Sequence, residues 1–291
     1  MSTVPKILVT GANGQLGKEL KELEGANPEF EFVFLSREDM PIQNFDLVRN
    51  TFKIHQPAFC INCAAYTAVD NAESEKELAF QVNGEAPGVL AAVAEKFNCR
   101  FIQISTDYVF DGQGNKPYRE DSATNPKNAY GASKLEGEKQ VMQFHPSSII
   151  IRTSWVYSAF GSNFVKTMLR LMDGPGPVKV VNDQLGSPTY AADLAGAILH
   201  IISSGKWKPG IYHFSNNGVI SWFEFATAIK ELNGKTCIIE PIPTSGYPTP
   251  AKRPVYSVLD TTKIREQYGI RIKNWKNSLE DCLKHMKKLE Q

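Results

Sequence analysis

The chain has 291 residues, enough to bury a large core in one two-lobed unit or in two domains. Lys and Arg number 32 against 31 Asp and Glu, a net charge of +1, so no basic stripe points to nucleic acid or to anionic lipid. The five cysteines (Cys60, Cys63, Cys99, Cys237, Cys282) are odd in number and scattered, which reads as reduced thiols in a cytoplasm, and no apolar run is long enough for a signal peptide or a membrane span.

Met1 to Lys6 lead straight into the first expected strand, Lys6–Thr10. Thr10-Gly11-Ala12-Asn13-Gly14-Gln15-Leu16-Gly17 follows it and opens a helix over Gln15–Glu24. In such a loop the first glycine allows a tight turn and the second lets the backbone approach a pyrophosphate. The third lets helix and strand pack closely, while the helix N–H groups face the anion. Gly11, Asn13, Gly14, Gln15, Leu16 and Gly17 are therefore candidate dinucleotide contacts.

The second strand, Glu31–Ser36, ends where an acidic residue would bind the adenine-ribose hydroxyls of NAD. Ser36-Arg37 stands there instead, a hydroxyl and a guanidinium suited to the 2′-phosphate of NADP. NADPH is the preferred cofactor on this reading and NADH remains possible. The alternative, a merely solvated Arg37 beside Glu38 and Asp39, stays open.

A helix over Phe45–His55 precedes the strand Ala58–Cys63. Cys60-Ile61-Asn62-Cys63 has the spacing of a redox pair, but residues three apart on a strand point to opposite faces, which favours a structural role. The next helical stretch, Ser74–Phe97, carries Gly84, Pro87 and Gly88 and should kink or break there. The strand Arg100–Ser105, the helix Asn128–Phe144 and the strand Ser148–Thr153 complete the alternation. Strands this apolar, alternating with helices, imply α/β architecture: a doubly wound parallel sheet of Rossmann-like type.

After residue 155 the texture changes. Asp173-Gly174-Pro175-Gly176-Pro177 is a turn cluster, and Pro241, Pro243, Pro248, Pro250 and Pro254 mark a long irregular connection. Helices are expected over Ala191–Ser204, Ser221–Leu232 and Asn277–Leu289, with a strand over Ile211–Ser215. The expected organisation is a dinucleotide-binding domain over 1–155, with 189–216 returning to it. A smaller, loop-rich substrate lobe would cover most of 156–291.

Two segments carry proton-transfer chemistry: Ser105-Thr106-Asp107-Tyr108-Val109-Phe110 and Tyr130-Gly131-Ala132-Ser133-Lys134. Tyr130 and Lys134 are four apart and share one face of a helix. A nearby ammonium lowers a phenol's pKa toward the working range, and the phenol then serves as general acid to a ketone. Lys134 is also placed to hold a ribose hydroxyl. Thr106, at a strand end, would donate to the carbonyl oxygen; its alternative is a capping threonine.

These segments resemble the extended short-chain dehydrogenase/reductases, whose glycine spacing Gly11-x-x-Gly14-x-x-Gly17 shares. With Asn62-Cys63-Ala64-Ala65-Tyr66-Thr67-Ala68-Val69-Asp70, Arg152-Thr153-Ser154-Trp155-Val156-Tyr157 and Asn182-Asp183-Gln184-x-Gly186-Ser187-Pro188-Thr189, the chain is similar to the dTDP-4-dehydrorhamnose reductases. The likeness runs from the first strand to Tyr247-Pro248-Thr249-Pro250-Ala251-Lys252-Arg253-Pro254.

The resemblance implies NADPH- or NADH-dependent reduction of the 4-keto group of a dTDP-linked 4-keto-6-deoxy sugar, dTDP-4-dehydro-β-L-rhamnose, by a cytoplasmic monomer or homodimer. Tyr130, Lys134 and Thr106 would be catalytic, and Ala64, Ala65 and Thr67 would line the cofactor. Thr106, Tyr108, Trp155, Asn163, Gln184 and Arg253 would contact the substrate, Arg253 through its diphosphate.

Two departures stand out. Asp39-Met40-Pro41-Ile42 occupies the place of an acidic-then-apolar pair that touches adenosine in the family. Some members share a magnesium ion between chains through glutamates. Glu19 matches one ligand, but Tyr190-Ala191-Ala192-Asp193 lacks the other, so no metal is expected.

Two other readings compete. One is a non-catalytic, dinucleotide-binding regulatory subunit of the methionine adenosyltransferase type. The other is a sugar-nucleotide epimerase or dehydratase; a dehydratase wants an acidic pair beside the threonine, and Thr106-Asp107 offers one acid.

Overall fold

The computed structural model describes residues 4–290; Met1–Thr3, the start of the expected lead-in, lie outside the described residues. Six strands form one parallel sheet: β1 (Lys6–Thr10), β2 (Glu31–Leu35), β3 (Phe59–Asn62), β4 (Arg100–Thr106), β5 (Ile149–Thr153) and, after four short strands, β10 (Gly210–Phe214). Their order across the sheet is β10-β5-β4-β3-β1-β2. The chain leaves β1 toward β2 and then crosses back over β1 to β3. The strand order therefore reverses between β1 and β3, where a crevice opens at the carboxyl ends of the strands.

Alternation along the strands builds two cores. Ile7, Val9, Ile61, Ile102, Ile149 and Ile151 face α1 (Gln15–Glu22), α7 (Ala191–Ser203) and α9 (Thr262–Tyr268). Leu8, Cys60, Phe101 and Ile150 face α2 (Phe45–His55), α4 (Ala86–Lys96) and α5 (Ala129–Phe144). Cys60 belongs to one core and Cys63 borders the other, as two strand residues three apart must.

A buried polar ladder ties β1, β3 and β4 together at the crevice. Thr10 Oγ1 donates to Asn62 Oδ1 at 2.5 Å, and Asn62 Nδ2 donates to Gln103 Oε1 at 2.8 Å. These residues are paired in register, so every rung lies across one strand spacing. Such a ladder locks the level at which the three strand ends stop.

The stretch from residue 76 to 96 continues as one helical rod. Between α3 (Lys76–Phe80) and α4 lies a π turn, Gln81–Glu85. Pro87 has no N–H for the carbonyl of Asn83, and the wider turn absorbs the fault without breaking the rod. A Cβ on Gly137 would collide with that carbonyl, so α5 passes against the widened turn only because residue 137 has no side chain.

A third core belongs to the second lobe: Tyr157, Val165, Phe225, Ile229 and Leu279 join α6 (Phe164–Met172), α8 (Trp222–Leu232) and α10 (Trp275–Leu289). The short strands serve this lobe and its seam: β6 (Val156–Tyr157) with β9 (Thr189–Tyr190), β7 (Val178–Val181) with β12 (Ile239–Ile242), and β8 (Leu185–Gly186) with β11 (Ile220–Ser221). Helices α6 and α9 were not among the expected elements. The first is nine residues ended by the turn cluster at 173–177, and the second is seven residues stopped by Gly269 at φ +70°. Among the described residues no helix is long and apolar enough to cross a membrane.

Candidate active site

A cavity of about 790 Å³ lies over the strand ends at the crevice. At its phosphate end Gly11 sits at φ +65°, and a Cβ there would lie 2.6 Å from the backbone nitrogen of Ala64. Gly11 thus brings the β1 and β3 ends together at the strand-order reversal. Gly14 forms the N-terminal cap of α1 and lines the cavity with Asn13, Gln15 and Leu16. Gly17 does not line it: a Cβ there would sit 2.5 Å from the carbonyl oxygen of Gly11, so this glycine serves the close fit of helix on loop. Backbone N–H groups at a helix start, reached over Gly11 and Gly14, fit a pyrophosphate.

Ser36 and Arg37 form the next part of the wall, with Met40 and Ile42 buried beyond. The Ser36 hydroxyl accepts from the N–H groups of Glu38 and Asp39, and Asp39 accepts from the Ser36 N–H. Asp39 is thereby turned to its own loop, and Arg37 stays exposed over the cavity edge. Ala64, Ala65 and Thr67, from the segment after β3, line the opposite wall.

At the deep end Thr106 closes β4, Tyr130 and Lys134 rise from α5, and all three line the cavity. Asn128 caps α5 by accepting from the Gly131 N–H at 2.8 Å, and Gly131 lets the helix start press on the Tyr108 carbonyl. Lys134 Nζ donates to the Ile104 carbonyl at 2.6 Å. Burial lowers its pKa to about 8, opposed by the Glu138 carboxylate one turn away.

Contrary to expectation, Lys134 does not lower the Tyr130 phenol. Burial raises the Tyr130 pKa, and the Thr106 hydroxyl opposes the rise; Lys134 spends one of its three donors on the β4 backbone. Glu138 in turn makes a buried ion pair with Arg152 at 2.7 Å and accepts from Ser105 Oγ at 2.5 Å. Arg152, noticed in the sequence as part of a motif, is thus a buttress behind the lysine.

The second lobe supplies the remaining wall. Trp155 stacks on Trp222 with ring centroids 3.6 Å apart, and both line the cavity. Trp155 adopts φ +48°, a backbone state that costs a bulky residue on the order of 1–3 kcal/mol. Gly186 permits it, since a Cβ there would lie 2.5 Å from the indole. Trp222 gave no signal in the sequence beyond a helix start.

Three expected substrate contacts lie off the cavity wall. Asn163 caps α6 and donates to Gln15 Oε1 at 3.0 Å, its polar atoms spent on those ties. Gln184 is buried and donates to Thr244 Oγ1 at 3.1 Å. Arg253 pairs with Asp70 at 2.6 Å and donates to the Tyr108 hydroxyl at 3.3 Å, next to a wall residue. Glu19, weighed as a metal ligand, is buried and accepts from Ser158 Oγ at 2.6 Å, which ties α1 to the second lobe.

A family model described as the RmlD substrate binding domain matches residues 5–288. The spore coat polysaccharide biosynthesis protein SpsK of Bacillus subtilis (strain 168) is 44% identical over 96% of both chains. The dTDP-4-dehydrorhamnose reductase of Aggregatibacter actinomycetemcomitans is 41% identical over 95% of this chain and 97% of its own. Among solved structures, the dTDP-4-dehydrorhamnose reductase of Bacillus anthracis str. Ames, in complex with NADP, is 38% identical and superposes with a TM-score of 0.93 over 97% of this chain and 99% of that one.

Proposed function

The chain belongs to the RmlD substrate-binding-domain family, and we propose that it reduces the 4-keto group of dTDP-4-dehydro-β-L-rhamnose with NADPH, giving dTDP-L-rhamnose. The observation that carries this reading is the convergence of Thr106, Tyr130 and Lys134 at the deep end of a cavity whose other end is a glycine-lined phosphate cradle. Bound there, NADPH supplies the hydride. Tyr130 holds the proton that the new alkoxide needs, because burial keeps its phenol protonated at working pH. Thr106 directs its hydroxyl at the carbonyl oxygen, and Lys134 offers an ammonium to the ribose hydroxyls beside Tyr130. Ser36 and Arg37 take the 2′-phosphate, and Met40 and Ile42 give the adenine an apolar bed.

In the second lobe, Trp155 and Trp222 border the sugar, and Arg253 at the rim meets the diphosphate. Asn163 and Gln184 take no part in this reading. The enzyme acts without a metal, as a monomer or homodimer in the cytoplasm, a placement supported by its five unpaired cysteines. The test is oxidation of NADPH by purified protein given dTDP-4-dehydrorhamnose, followed by absorbance, with and without chelator. Substrate-dependent oxidation unaffected by chelator is the expected result. NADPH binding without oxidation from pH 6 to 8 would instead mark a regulatory subunit.

A further inference from the structure

Asp107 follows Thr106 on the cavity wall and is 2% exposed. Its Oδ1 lies 3.0 Å from Thr106 Oγ1, a separation that serves donation in either direction. Its Oδ2 is buried, and the Oγ of Ser257, also buried, faces the same carboxyl from the second lobe. The Tyr108 N–H donates to Thr106 Oγ1 at 3.3 Å and fills one of its two acceptor positions.

We infer that Asp107 is a positioning residue whose neutral carboxyl donates to Thr106 Oγ1 and so turns the Thr106 hydrogen away from itself, toward Tyr130 and the substrate's carbonyl oxygen. With Asp107 ionised, the Thr106 hydrogen goes to the carboxylate, and the substrate oxygen meets a lone pair. Burial raises the Asp107 pKa to about 7, so both states are populated near neutral pH. The groups facing it are Tyr108 on its own turn, Tyr130 from α5 and Ser257 from the second lobe. The Arg253–Asp70 pair lies beyond Tyr108. The inference rests on the ketone-reductase reading.

Asp107→Asn offers an amide that donates to Thr106 at every pH. With saturating NADPH, kcat/KM of the wild type should fall at least about tenfold from pH 6 to 8, tenfold being the share expected for loss of the one Asp107 proton near neutrality. The variant should start lower and change by less than about threefold, the remainder belonging to Lys134. An infrared titration of the ligand-free proteins should show one protonated carboxyl lost near neutrality in wild type and absent from Asp107→Asn. If that variant does not fold, Thr106→Val should also lack the break, since the hydroxyl that Asp107 directs is gone. The same tenfold fall in either variant, or no extra carboxyl in the infrared titration, overturns the inference. Wild type that never oxidises NADPH would sink the reductase reading instead, and the infrared result would still judge Asp107.

Discussion

The two ends of the cavity are built on opposite electrostatic terms. At the deep end Thr106, Asp107, Lys134, Glu138 and Arg152 are each at most 5% exposed, with most of their polar atoms committed to named partners. At the cofactor-selecting end Arg37, Glu38 and Asp39 are exposed on a loop, and only Ser36 is buried. Coulomb interactions grow as water is removed, so the dry end perturbs pKa values strongly, whereas the wet end is screened by solvent and salt. Proton transfer is confined to the first, and cofactor preference is left to the second.

That contrast can be broken most forcefully behind the lysine. Arg152→Met would leave Glu138 buried without its main partner and should cost about 3–5 kcal/mol in urea denaturation; a loss under about 1 kcal/mol would mean that water reaches the pair. Tyr130→Phe keeps the ring and removes the proton donor. It should lower kcat by about a hundredfold or more while NADPH affinity stays within about twofold. Turnover near the wild-type rate would show that another group is the acid. The smallest effect belongs to the wet end. Arg37→Ala should weaken NADPH about tenfold, roughly 1.4 kcal/mol, and NADH little, with the difference shrinking as salt is raised. Equal losses for both cofactors, or a difference indifferent to salt, would erase the contrast.

Much of the sheet was legible because its strands are buried on both faces. The apolar runs mark Lys6–Thr10 to the residue and each of the others to within one residue at either end, since apolar runs bounded by turns define parallel strands. The glycine loop and the Tyr130–Lys134 pair were legible because local spacing alone sets their geometry. What the sequence hid depends on distant partners. Trp222 becomes a wall residue only because Trp155, 67 positions earlier, stacks on it. Spacing alone makes Lys134 the tyrosine's tuner, and the bond that draws Nζ to the Ile104 carbonyl comes from a distant strand that the spacing does not show. Asn163 looked like a substrate contact, but an asparagine before a helix is as good a cap, and spacing cannot separate the two roles.

The Trp155–Trp222 stack has a spectroscopic consequence. One indole follows β5 of the sheet and the other opens α8 of the second lobe, and their planes lie within 11° at 3.6 Å. Chromophores that close couple their excited states, and where their in-plane transition dipoles are skewed they give a paired-sign circular dichroism band that single indoles lack. The amplitude depends steeply on separation and angle, so a slight opening of the seam between the lobes changes it at once. The protein thus carries an intrinsic, label-free gauge of its own cleft, readable in stopped flow.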